Sequence, residues 1–301
     1  MDCAREPASA EEMKPMRRQT VLSLALILSW PLALAPGQAE KSALRFGPAA
    51  GTALTYGING QVNVGGKDFF GKDLTLDASA QGDLRLAVVN SGRDTVLAGL
   101  TTSGIEVRAQ LPTETQSQTL RTAEGKSLEV VFNRSGKVME IRNPDVLAQQ
   151  NVLNFSIPQI LRDYFPVFPA EPVGPGDQWR ESRRLTVPFQ GLELQINLVI
   201  DYTLNDIMPS PDGRKALISA VYTVAVSGSR DLGETIGVFE GKGQGTGYLN
   251  FLVDAGYFTE YRLDFKVDAA FVSKKGTKRL LEMPFTFSVL AEVNLIGNQR
   301  P

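Results

Sequence analysis

The chain has 301 residues, 31 basic and 33 acidic side chains, one cysteine and no histidine. Without His there is no Ser-His-Asp or Cys-His nucleophile system, no histidine general base and no ordinary zinc site, and with Cys3 as the single thiol there is no internal disulfide. A net charge of −2 leaves no electrostatic footprint for nucleic acid, and with no nucleotide or metal motif in the chain no cofactor is expected.

Residues 1–39 read as a leader. Arg17 and Arg18 form a short positive region after Met16, and Val21 to Leu34 is apolar apart from Ser23, Ser29 and Pro31. The small residues of Ala33-Leu34-Ala35 and Gly37-Gln38-Ala39 follow, which completes the order of a secretory signal, with cleavage expected near Ala39. Pro31 and a run shorter than the roughly 20 residues of a membrane span argue against an anchor. No Cys follows the apolar run, so lipid attachment is not expected. Residues 1–15, with Glu11, Glu12 and Lys14, read as an extension ahead of the signal. The predicted location is periplasmic or secreted, with no transmembrane span in the mature chain. Removing the leader takes four basic and four acidic residues, so the charge stays at −2.

Residues 40–165 form an N-terminal β half. Leu54, Tyr56, Ile58, Val62 and Val64 alternate with Thr55, Asn59, Gln61 and Asn63, which gives a strand with one dry face. Shorter alternating runs cover 74–80, 105–111 and 128–132. Turn signals at Gly65-Gly66, Asn90-Ser91-Gly92 and Asn133-Arg134-Ser135-Gly136 separate them. One segment breaks the pattern. Ser156 and Gln159 have the spacing of a capping box, and Ile157, Ile160, Leu161, Tyr164 and Phe165 fall on one face of a helix. A helical turn or two is expected over 145–152. The dry strand faces supply the surface that this helix needs.

Pro166, Pro169, Pro172 and Pro175 recur every third residue, the polyproline II period, so 166–175 reads as a stiff spacer between two sheet halves. Residues 176–301 form the C-terminal β half, opened by Trp179. Leu192 to Leu204, Tyr257 to Phe271 and Leu281 to Leu295 each alternate over long stretches, and Pro211-Asp212-Gly213 and Lys275-Gly276 mark turns. Gly237, Gly241, Gly243, Gly245 and Gly247 share one parity. Such a bare face allows sharp bending or the close approach of another backbone; floor space for a ligand is the alternative. The ladder Glu260, Arg262, Asp264, Lys266, Asp268 reads as a wet face with ordinary cross-strand pairs rather than a catalytic carboxylate pair. Lys274, Lys275, Lys278 and Arg279 form a basic hairpin tip, either a solubilising turn or a contact for anionic lipid head groups. The fold class is therefore mainly β. It is one coupled unit of long curved antiparallel sheet, or a half-barrel meander, with one or two short helices on the apolar face.

Phe168-Pro169, Pro172-Val173 and Gly176-Asp177-Gln178-Trp179 resemble a proline-valine, glycine-aspartate-x-tryptophan step in an uncharacterised family of secreted bacterial β-rich proteins. Gly243-Gln244-Gly245, with Asp254 and Gly256 beyond, resembles a later strand pair of that family. The resemblance implies long curved strands around helical material, similar in architecture to the half-barrels of periplasmic lipoprotein carriers. It carries over no catalytic residue, and architecture alone does not set function.

The leading functional expectation is a non-catalytic envelope protein that binds a lipid or another apolar ligand. Ile160, Leu161, Tyr164, Phe165, Trp179, Tyr261, Phe265, Phe285 and Phe287 are the candidate contacts, because long one-sided strands outnumber the helical material able to cover them. The alternatives are an envelope interaction protein that recruits a partner strand at a sheet edge, an outer-membrane barrel, and a hydrolase using two carboxylates.

Overall fold

The computed structural model describes residues 40–67, 72–110, 115–122, 126–148, 165–189 and 192–300. Wherever apolar and polar side chains alternate in sequence, the backbone is extended. β1 (Ala53–Lys67), β2 (Asp73–Ser91), β3 (Thr95–Thr102), β4 (Ile105–Gln110), β5 (Thr115–Leu120), β6 (Leu128–Asn133) and β7 (Val138–Arg142) precede a single helical turn, α1 (Asp145–Ala148). β8 (Gln178–Phe189), β9 (Leu192–Ser210), β10 (Gly213–Asp231), β11 (Ile236–Leu252), β12 (Tyr257–Lys275) and β13 (Lys278–Gln299) follow. The predicted Ser156 to Tyr164 helix segment lies outside the described residues, and so does the leader; of the expected turns after Asp145, α1 supplies one.

All thirteen strands of the described residues belong to one antiparallel sheet, ordered β7-β6-β3-β2-β1-β13-β12-β11-β10-β9-β8. β4 and β5 branch from β2, which pairs with β3 through Leu84–Ser91 and with β4 through Asp77–Gln81. Chain-adjacent strands pair almost throughout. The exceptions are β2 with β4, β3 with β6, and β1 with β13, the last an antiparallel ladder from Ala53↔Gln299 to Gly66↔Phe285 that joins the two halves edge to edge. The path ends at β7 and β8, so the sheet is not closed into a barrel.

One face is dry. Leu54 and Tyr56 of β1, Leu84, Leu86 and Val88 of β2, and Ile200, Tyr202 and Leu204 of β9 are buried in one core with Ile218, Tyr222, Leu249, Phe251 and Tyr261. The other face is wet. On β12, Asp264, Lys266 and Asp268 are exposed, and Arg262 meets Glu292 of β13 at 2.7 Å. Exposed pairs of this kind contribute at most about 1 kcal/mol each, so apolar burial rather than charge pairing sets the register. A one-residue slip would turn each of these strands inside out.

The glycine stripe of β11 lies on the dry face, opposite Leu263, Phe265, Val267 and Ala269 of β12. A Cβ on Gly243 or Gly245 would stand under 3.0 Å from the β12 backbone, against the carbonyl oxygens of Lys266 and Asp264. The missing side chains therefore let β12 fold over β11 on the concave side, which is the bending reading of the stripe. At Gly247 an added Cβ would meet both the Arg262 carbonyl oxygen of β12 and Cε2 of the Tyr222 ring, the latter at 2.9 Å.

The proline-rich stretch does more than space the halves. Phe165, Phe168 and Val173 are buried in the main core, with Phe168 at 4.3 Å from Phe251 and Phe165 at 4.9 Å from Phe132 of β6, centroid to centroid. The backbone is tied from both sides. Phe168 N–H donates to Ser135 O in the β6–β7 turn, while Val167 O accepts from Trp179 Nε1 and Phe165 O from Arg183 Nη2, both on β8. Stiff prolines hold the chain extended, and the apolar residues between them anchor it. This strap links the two ends of the sheet where no strand pairing does.

If the stripe permits the bend, Gly243→Ala lowers stability by about 1–3 kcal/mol through overpacking. Gly65 sits in a strand with nothing within 4 Å of an added Cβ, so Gly65→Ala is expected to be neutral or stabilising by up to about 1 kcal/mol. Urea unfolding midpoints of the two variants check the contrast.

Candidate functional site

The dry face divides into three regions. The first is the main core under the strap, at the end where β12 begins. A second apolar cluster lies further along the same strands, built from Leu194, Val224, Phe239, Val267, Phe271, Met283 and Phe285. Between them, toward β1 and β2, the inner face is only half-buried. Two rungs cross four strands there: Phe265–Val289–Val62–Ala78 and Leu263–Ala291–Gly60–Ala80. Ala78, Ala80, Gly60 and Ala291 make a low floor, and Leu263 and Phe265 stand at its side. This strip is an apolar surface that the described residues leave partly open.

A polar group is set into the same face at its β8 edge. The inward positions of β8 read Trp179, Glu181, Arg183, Leu185, opposite Tyr202, Ile200, Leu198 and Ile196 of β9. The Glu181 and Arg183 side chains are 13% and 8% exposed and form a two-pronged pair, Nε to Oε1 at 2.7 Å and Nη2 to Oε2 at 2.8 Å. Burial by itself would depress the Arg183 guanidinium, but the hydrogen bond and charge of Glu181 hold it above its ordinary value. Tyr202 O–H donates to Glu181 Oε2 at 3.4 Å, and the Tyr222 and Tyr261 hydroxyls meet at 3.2 Å. Burial, with added coulombic opposition from Tyr261, pushes the Tyr202 and Tyr222 phenols up. Burial also raises Tyr261 and, at the far side of the core, Tyr56. These phenols therefore stay neutral donors. Inward charges on a terminal strand also blunt pairing with other chains.

The candidate contacts separate into groups. Phe165 and Tyr261 are buried in the main core, and Trp179 is half-buried there, stacked on Tyr202 at 5.2 Å. Phe285 belongs to the second cluster, with Phe265 and Phe287 half-buried against it; Phe239 joins Phe285 at 6.0 Å and Phe287 at 5.9 Å. Ile160, Leu161 and Tyr164 lie outside the described residues. Of the candidates, Phe265 and Phe287 border the open strip, while Phe165 and Tyr261 are core. Sequence reading missed the Glu181–Arg183 pair, because β8 has polar residues at both parities and shows no alternation. It also passed over the small residues Ala78, Ala80 and Ala291, which have no chemistry of their own. Among the described residues, no three carboxylate, His or Cys side chains gather as a metal site would need.

No family model matches the chain, and no curated protein matches it. Among solved structures it is similar to Pseudomonas aeruginosa OccK5 (OpdH), at 8% identity and a TM-score of 0.18, over 82% of this chain and 98% of that one. It is also similar to the outer membrane protein opdK from Pseudomonas aeruginosa, at 8% identity and a TM-score of 0.19, over 82% of this chain and 99% of the other. Similarities at this level carry no argument about what the chain does.

Removing one member of the buried pair strands the other. Arg183→Met is expected to lose about 3–5 kcal/mol of unfolding free energy, and Glu181→Leu combined with Arg183→Met to recover most of it; equilibrium denaturation of both variants checks this. The tyrosines predict an alkaline limit. Their folded pKa values are raised, so the stability they contribute is present below the unfolded value of 10.0. That stability is lost as pH rises above it, because only the unfolded chain can ionise them. Phenolate absorbance is expected to appear in two phases, the second coinciding with loss of the far-ultraviolet sheet signal.

Proposed function

We propose that this chain is a non-catalytic envelope protein, exported by its leader, that holds a lipid or other apolar ligand against the concave face of its curved sheet. The observation that carries the reading is the half-buried strip crossing Phe265–Val289–Val62–Ala78 and Leu263–Ala291–Gly60–Ala80. Long aliphatic and aromatic strands are well packed on both sides of it, yet the floor between them holds Gly60, Ala78, Ala80 and Ala291 beside Val62 and Val289. A shallow apolar trough with larger side walls suits an extended hydrocarbon chain, and each methylene it covers contributes about 0.8 kcal/mol. The buried Glu181–Arg183 pair and its tyrosines border the same face and can orient a polar head group.

The charged outer face speaks against a membrane barrel. Such barrels turn apolar side chains outward and polar ones toward the lumen, whereas here Asp264, Lys266 and Asp268 are exposed outside while Val267 and Phe271 are buried within. The export reading rests on the order of residues in 16–39.

Protein exported into a periplasm and purified without detergent is expected to carry an organic-extractable adduct in native mass spectrometry. After extraction it should take up a fluorescent fatty-acid analogue. Ala291→Trp fills the trough floor and is expected to weaken that uptake by at least about tenfold, since the indole displaces two or more methylene contacts. A clean mass together with no uptake of the probe by the unsubstituted protein would overturn the reading.

A further inference from the structure

At the end where the strap and core lie, three cations are paired: Arg214 meets Asp254 at 2.7 Å, Arg300 meets Asp212 at 2.9 Å and Lys41 meets Asp177 at 2.9 Å. At the other end the β12–β13 tip, Lys274–Glu282, carries four cations and one carboxylate in a chain whose net charge is −2. Lys275 is paired with Glu234 and Arg279 with Glu282. Lys274 and Lys278 have no ion-pair partner among the described residues.

Aliphatic side chains stand among these cations. Leu232 and Ile236, at the neighbouring β10–β11 tip, are 47% and 53% exposed, and Leu280 is 50% exposed. The two tips are in register, with Ile236 opposite Lys274, and Lys274 opposite Arg279. Leu232 also lies beside Gly237, where the Phe271 ring of the second apolar cluster comes close. Exposed apolar residues are therefore continuous with the interior of the sheet; the cations of the β12–β13 tip stand on one side of them, and Asp231 and Glu234 of their own tip on the other.

We propose that these paired tips, Leu232, Ile236, Lys274, Lys278 and Leu280, dock on an anionic lipid surface. Cations alone would suit any polyanion. Leucine and isoleucine at projecting turns gain nothing from a phosphate backbone, but they gain hydrocarbon contact at a bilayer interface, where adjacent lysines are held by anionic head groups. The docking surface goes beyond the ligand reading and does not depend on it, because it is built from the tips and not from the trough.

The test uses the exported chain, from which Cys3 is removed with the leader, so that a single introduced thiol can carry an environment-sensitive dye. Thr277→Cys places the dye in the β12–β13 turn, and Asp94→Cys places it in the β2–β3 turn at the opposite end. With phosphatidylglycerol-containing vesicles the dye at 277 is expected to shift to the blue and the dye at 94 to stay unchanged, with the response weakening as salt is added. Lys274→Gln and Lys278→Gln should each weaken vesicle binding at the 277 probe by about fivefold. No shift at 277, an equal shift at both positions, an equal response to phosphatidylcholine vesicles, or no effect of the lysine substitutions would overturn the proposal. The lysines are surface groups, and a sheet signal retained in the far ultraviolet separates lost docking from lost folding.

Discussion

The curvature of this sheet depends on side chains that are absent. Antiparallel strands of up to 22 residues twist, but twist alone does not bring distant strands to a common core. Where β11 presents Gly241, Gly243, Gly245 and Gly247 to the dry face, β12 comes in against the bare backbone. That close approach bends the sheet inward on its apolar side. The rest of the architecture follows from it: the strap has two walls to bind, the aromatic residues of distant strands share a core, and the charged side of each strand faces outward.

The bend creates a requirement that the strap meets. A curled sheet that stops short of closure leaves two terminal strands, and unpaired backbone there invites pairing with other chains. Phe165–Val173 spans this interval. Its carbonyls accept from Trp179 and Arg183 on β8, and its Phe168 amide donates to the β6–β7 turn. Arg183 can make this bond in a buried place only because Glu181 neutralises it two residues away on the same face. The ion pair is therefore part of how the sheet is held, besides being the most polar feature of its interior.

Burial is uneven along the dry face. Large side chains fill both flanks, while the middle of β2, β1 and β13 offers alanine and glycine around Val62 and Val289. Filling that floor with larger residues would have been open to the chain. Keeping it low leaves apolar surface partly exposed to water, a cost in stability that a bound hydrocarbon would offset.

Much of the fold was legible in the amino-acid order. Period-two alternation marked the dry faces of β1, β9, β12 and β13, because one-sided burial leaves a pattern that needs no knowledge of the partner strand. The shared parity of the β11 glycines pointed to bending for a similar local reason. The candidate site was legible only in part: Phe265 and Phe287 border the open strip, but Phe165 and Tyr261 turned out to be core. What alternation cannot carry is which strands meet. The β1–β13 ladder, the fork of β2 between β3 and β4, and the small-residue floor are products of pairing between segments far apart in the chain. The strap was read as a spacer because the proline period describes local stiffness and says nothing about where Phe165, Phe168 and Val173 are buried. The Glu181–Arg183 pair left no signal at all, since a charge on a strand declares itself buried only when the opposite wall is in place. Local periodicity thus determined the strands and their wet and dry sides. Only the tertiary structure decided the register across the halves, the closure by the strap and the shape of the face they enclose, because each depends on contacts between residues with no fixed spacing in sequence.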